Sequence, residues 1–281
     1  MPSRPASAAI VLFWLATTGV LVYRELAPGF QAGEAPPFTI PLTAEVGNSV
    51  VNWNVLQKGQ PEPVGSGVTQ IKLQPGRIFE LSAKFTLKKI KILVDWENVI
   101  IRGSYLVTED GKLLAGSAHI SLTQPLAAEI KFDGEVREKT FHPQLAVLVG
   151  GLDVNPFPAE PFPVAESGSI LNPMHLVHKI SGLRAGRNWP MPLMDPLRAA
   201  PSAVQGLLPA NISIVKQVIA TVTTEDLPLG ATFVPCFKIE YAQPGERPLA
   251  KTWVRRSDDA VLQQWASYEG IEYTLQRTPG Q

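Results

Sequence analysis

The side chains that could do chemistry in this chain are few, and their spacing suits little of it. Four histidines and one cysteine stand among 281 residues. His175 and His178 have the spacing that puts two metal ligands on one face of a helix. No glutamate follows His175 as in the metalloprotease pattern, and no third ligand is spaced nearby. The simpler reading is the polar face of a short surface helix. Gly116-Ser117-Ala118-His119 sets a serine near a histidine, but inside an alternating run rather than on a strand-to-helix elbow. His119 and His142 read as strand or strand-end residues. Gly65 and Gly67 lack the third glycine and the following helix of a phosphate loop. Asp95, Glu97, Glu109 and Asp110 read as solvated strand and turn charges, and Asp195 and Asp226 pair with no recognisable base. A lone cysteine can form neither an internal disulfide nor a thiolate metal site, and Cys236 in FVPCFKIEY reads as a small buried apolar residue. These patterns predict no catalytic residue, no metal and no cofactor.

The aromatic residues are better placed to do something. Trp53, Phe79, Phe85, Trp96, Phe132, Phe233, Trp253 and Trp265 fall on strand-like runs, and Trp189 follows in GLRAGRNWP. If one face of a sheet gathers them, that face is either an ordinary core or an apolar ligand groove. The core is the simpler reading. The groove is the one that would carry a function, and these nine residues are its candidate lining.

The elements that would position them are antiparallel strands. In RIFELSAKFTL, alternation sets Ile78, Glu80, Ser82 and Lys84 on one face and Phe79, Leu81, Ala83 and Phe85 on the other. Gly65-Ser66-Gly67, Pro75-Gly76, Asp110-Gly111, Asp133-Gly134 and Ser257-Asp258-Asp259 read as turns, the Asp-Gly pairs as two-residue hairpin turns. Residues 150–210 are proline-punctuated and irregular, which excludes a central strand or long helix there. MHLVHKI, after Asn172-Pro173, reads as a short helix ending at Gly182. The last third returns to alternating strands. The expected architecture is mainly β, an antiparallel sheet with one or two short helices. A division into two β-domains near residue 150 is also compatible with the pattern.

Ala8 to Tyr23 is an uncharged apolar run, just long enough with Ala6 and Ser7 to cross a bilayer as a helix. Residues 1–26 are therefore expected to be an N-terminal transmembrane anchor, 27–41 a Pro/Gly-rich linker, and 42–281 the folded body. The alternative is a cleaved signal peptide and a secreted protein, with Gly33-Glu34-Ala35 as the best cleavage site. Arg4 and the amino terminus favour a cytoplasmic N-terminus and a body on the outer, periplasmic side of a bacterial cell membrane. Lys plus Arg equals Asp plus Glu, 25 each, which argues against nucleic acid as a partner.

The run from Gly182 to Arg277 resembles a class of bacterial envelope domains related to the half-barrel lipoprotein carriers. The matching stretches are GLRAGRNWPMPLMDP, QVIATV, GATFVPCFK, TWV and VLQQWASYEGIEYTLQR. The resemblance implies a strongly curved sheet, open on one side, whose apolar concave face shelters acyl chains. It implies no catalytic residues. A retained anchor and the scarcity of helices depart from the carriers and favour a tethered role over a shuttle. The expected function is thus a membrane-anchored, non-catalytic envelope protein that binds an apolar, lipid-like ligand or an envelope protein partner. The alternatives are an interaction ectodomain with no ligand and, more remotely, a hydrolase.

Overall fold

The structure, a computed structural model, describes residues 49–92, 94–109, 112–124, 127–153, 157–158, 161–163, 178–192, 217–243, 245–268 and 270–278. The apolar run 8–23, the linker 27–41, Asp110-Gly111 and much of the proline-rich middle lie outside these residues. The described chain forms sixteen strands in one antiparallel sheet. They are β1 (Ser49–Gln57), β2 (Gly65–Gln74), β3 (Ile78–Ile92), β4 (Val94–Thr108), β5 (Leu113–Leu122), β6 (Ala128–Arg137) and β7 (Thr140–Val149), then the two-residue β8 (Leu152–Asp153), β9 (Phe157–Pro158) and β10 (Phe162–Pro163). The C-terminal part supplies β11 (Asn188–Pro192), β12 (Gln217–Leu229), β13 (Thr232–Ala242), β14 (Ala250–Arg255), β15 (Val261–Tyr268) and β16 (Ile271–Arg277).

Consecutive strands pair as a meander, and β1 pairs with β16, joining the two halves. The order runs from β10 through β7 down to β1, then from β16 down to β11, so β10 and β11 are the open ends. No helix occurs among the described residues. Of MHLVHKI, expected as a short helix, residues 174–177 lie outside the described residues, and 178–180 run extended beside the start of β15. Ile180 N–H donates to Asp259 O at 2.9 Å, and Val261 N–H to His178 O at 2.9 Å.

Alternation makes one face of the sheet apolar, and curvature lets that face pack on itself. One cluster joins Val51, Trp53 and Val55 of β1 to Trp189, Val218, Ile239, Tyr241, Val254 and Leu275 of the C-terminal strands, with Ile180 and Leu183 packed among them. A second gathers Phe79, Leu81, Val107, Phe132, Phe141 and Leu145 from β3 to β7. A third cluster (Leu227, Cys236, Trp253, Ala260 and Leu262) is buried separately.

Two expected turns are strand interiors. Asp133-Gly134 lies within β6, and the hairpin turns at Glu138 and Lys139, both at positive φ (49° and 64°). Gly134 serves a close approach instead. A Cβ there would come within 2.4 Å of the Phe141 ring and 2.9 Å of the His142 carbonyl oxygen. Gly65-Ser66-Gly67 likewise opens β2, where a Cβ on Gly65 would meet Thr86 O at 2.4 Å. The expected turns at Pro75-Gly76 and Ser257–Asp259 are turns, with Gly76, Arg77 and Asp259 at positive φ. Gly134→Ala is expected to cost about 1–3 kcal/mol through overpacking. Denaturant unfolding measures the cost, and Phe141→Leu in the same chain should recover part of it. A neutral Gly134→Ala would show that Phe141 moves freely.

Candidate functional site

The sheet brings together only part of the expected aromatic lining. Trp53, Phe79, Phe132 and Trp189 are buried, with Phe85 partly buried beside them, but they divide between two clusters. Phe132 and Phe141 stack with centroids 5.8 Å apart. Trp253 and Trp265 lie on the opposite face: Trp253 sits between Thr252 and Val254, whose side chains fill the inner side. Phe233, near the β12–β13 turn, is 72% exposed. The Trp96 side chain lies outside the described residues. A shared face for all nine is therefore corrected, because strand parity sends Trp253 and Trp265 outward.

The inner face also holds a polar chain that sequence reading missed. The Trp53 indole N–H donates to Thr69 Oγ1 at 2.9 Å, and Thr69 Oγ1 lies 2.8 Å from His178 Nε2. His178 is buried, not on a surface helix, and His175 lies outside the described residues. Burial, with the Arg277 charge behind it, pushes the imidazole down to about 4. Thr69 Oγ1 thus accepts from the indole and pairs with the imidazole, with the Val51 carbonyl oxygen 3.5 Å away. This is a structural network, and among the described residues no group of three or more His, Cys, Asp or Glu is placed to hold a metal.

On the outer face of the C-terminal strands, Lys238 bonds Glu225 at 2.6 Å and Glu240 at 3.3 Å. The Trp253 indole donates to Glu225 at 3.0 Å. Burial opposes ionisation of Glu225, but the hydrogen bonds from Lys238 and Trp253 outweigh it and hold the carboxyl below its ordinary range. Cys236 beneath them is fully buried and its thiol is pushed up by desolvation, as an inert core residue requires.

The outer face of β2 to β6 carries the open concavity. One groove of about 600 Å³ is lined by Gln74, Ile78, Glu80, Leu106, Ala115 and Asp133, with Ser104 and Ser117 on its floor. A second, about 480 Å³, shares Ser104 and Ser117 and continues to Gln70, Ser82, Lys84, Arg102 and His119. Register explains the floor: Gln70 opposes Ser82, Ser82 opposes Ser104, Ser104 opposes Ser117, and Ser117 opposes Asp133. Three small serines aligned across β3, β4 and β5, between Gln70 and Asp133, leave a trough between taller neighbours.

A serine, a histidine and a carboxylate do meet beside this trough. Ser121 Oγ lies 3.3 Å and Glu129 Oε2 3.5 Å from His119, but both face the same atom, Nε2. A nucleophile–base–acid relay needs the serine and the carboxylate on opposite ring nitrogens. The arrangement as built is a surface ion-pair cluster, completed by Lys131 at 3.2 Å from Glu129.

No family model matches the chain, and no curated protein matches it. Among solved structures it is similar to a β-barrel-like protein of a domain of unknown function, DUF1849, from Brucella abortus. That similarity has a TM-score of 0.45 at 9% identity and covers 83% of this chain and 96% of the other.

Proposed function

We propose that the chain is a membrane-tethered, non-catalytic binding protein of the bacterial envelope, and that its binding surface is the outer face of β2–β6. The observation that carries this reading is the contrast between the two faces. The inner face is closed by packed side chains, with Trp53, Phe79 and Phe141 exposed by 1% or less. The outer face offers an open trough whose accessible lining is mainly apolar, with hydroxyls, amides and charges set along it. This moves the ligand site from the inner concave face to an outer, amphipathic trough, suited to a partner that presents apolar C–H faces beside hydroxyl and charged groups. The tether rests on the composition of residues 8–23; among the described residues no helix is long and apolar enough to cross a membrane.

Location is tested with the full chain fused at its C-terminus to alkaline phosphatase, which is active only outside the cytoplasm. The expected result is an active fusion that stays in the membrane pellet through alkaline carbonate washing, with an intact N-terminus. A mature N-terminus near Pro36 would replace the tether by secretion. An inactive fusion would overturn the envelope reading.

A further inference from the structure

We propose that the outer trough binds an anionic glycan, a linear polyhydroxylated chain that carries carboxylate groups. The inference rests on the binding reading above and gives that surface its ligand class. Four nitrogen bases stand in one row across adjacent strands: Lys84 opposes Arg102, Arg102 opposes His119, and His119 opposes Lys131. Glu129 answers the far end of the row, at 3.2 Å from Lys131 and 3.5 Å from His119. At the near end Lys84 and Arg102 are both exposed, and among the described residues neither has a carboxylate within ion-pair distance. Like charges directly opposite each other weaken a strand pair. A bound carboxylate between them would reverse that repulsion, and the arginine presents a planar fork matched to a carboxylate.

The rest of the trough narrows the occupant. Beside the cations run Gln70, Ser82, Ser104 and Ser117, which can donate to and accept from sugar hydroxyls. Ser104 and Ser117 continue into the larger groove, which ends at Glu80 and Asp133. From Arg102 to Leu106 the trough extends roughly 14 Å along β4, the length of two to three sugar units. A uniformly phosphate-dense strand such as a nucleic acid would meet the two carboxylates at that end. A chain with one carboxylate on every second sugar would set a neutral sugar there. A flat bilayer surface would reach the rim of the concavity and leave its serine floor unfilled.

Binding of end-labelled hyaluronate, which carries one carboxylate on every second sugar, to the purified full chain in non-ionic detergent tests this, with neutral dextran and a single-stranded oligonucleotide as further probes. The expected result is saturable hyaluronate binding that weakens with salt, with little binding of dextran. Lys84→Gln with Arg102→Gln should weaken it at least ten-fold without lowering the thermal transition, and Ser104→Ala with Ser117→Ala should weaken it less. Arg247→Gln with Arg256→Gln, far from the trough, should leave it unchanged. Equal loss with that distant pair, undiminished binding by the Lys84/Arg102 variant, or tighter capture of the oligonucleotide would overturn the proposal. If it falls while the phosphatase fusion remains active in the membrane, the ligand class is wrong and the envelope location stands.

Discussion

Trp53→Ala is expected to destabilise the protein by about 3–5 kcal/mol, the range for deleting a large aromatic from a closed core. Trp53 is 1% exposed and sits where β1 joins the two halves of the sheet, with β2 on one side and β16 on the other. Its loss removes packing shared by the N- and C-terminal strands. It also removes the N–H that Thr69 accepts. Trp53→Phe separates the two contributions, because it keeps most of the ring and loses only the donor, at an expected cost of about 1–2 kcal/mol. Denaturant unfolding of the full chain measures both. The result bears on function as well. In a filled interior the deletion leaves a void and carries the cavity cost. On the wall of an open lipid cleft it would lose only part of its contacts, and a cost near 1 kcal/mol would return the ligand site to the inner face.

How much of this was legible before the fold was seen depended on how far each feature reaches along the chain. Within one strand the reading was sound: Phe79 and Leu81 are buried, while Glu80, Ser82 and Lys84 face out, as alternation requires. The antiparallel character followed from the same signal. Glycine was misread where its partner lay on another strand. Gly134 follows an aspartate and looks like a hairpin turn, yet it is there to admit the Phe141 ring. The real turn, Glu138-Lys139, uses residues with no turn signature. The aromatics were expected to line a groove only if one face gathered most of them, and this part of the sheet buries side chains on both faces, with Trp253 on the outer one. The serine row and the Lys84–Arg102 pair were beyond reach for a different reason. Each residue could be placed on an outward face, but their alignment depends on the register of five strands, which turn lengths set and composition does not record.

Acid sensitivity through His178 is the second large effect expected. The folded protein holds this imidazole at about 4, against about 6.5 in an unfolded chain. Between those values the unfolded state binds the proton and the folded state does not, so stability rises with pH across the window. The contribution is complete above pH 6.5 and is lost as pH falls towards 4; the shift corresponds to about 3 kcal/mol, of which about 2 is gone by pH 5. The cause is structural. A protonated ring would carry its charge in a buried site, out of reach of bulk water, and would face the Arg277 charge. The salt-bridged carboxylates Glu225, Glu240 and Asp258 are held below their ordinary values, so their stability is lost at lower pH than the upper part of the His178 window. Unfolding free energies measured between pH 7 and pH 5 therefore isolate the histidine. His178→Gln, which can still accept from Thr69, should flatten the profile in that interval while leaving the fall below pH 4.5 in place. An unchanged slope in His178→Gln would mean that the imidazole titrates normally, and that the Trp53–Thr69–His178 relay is open to water.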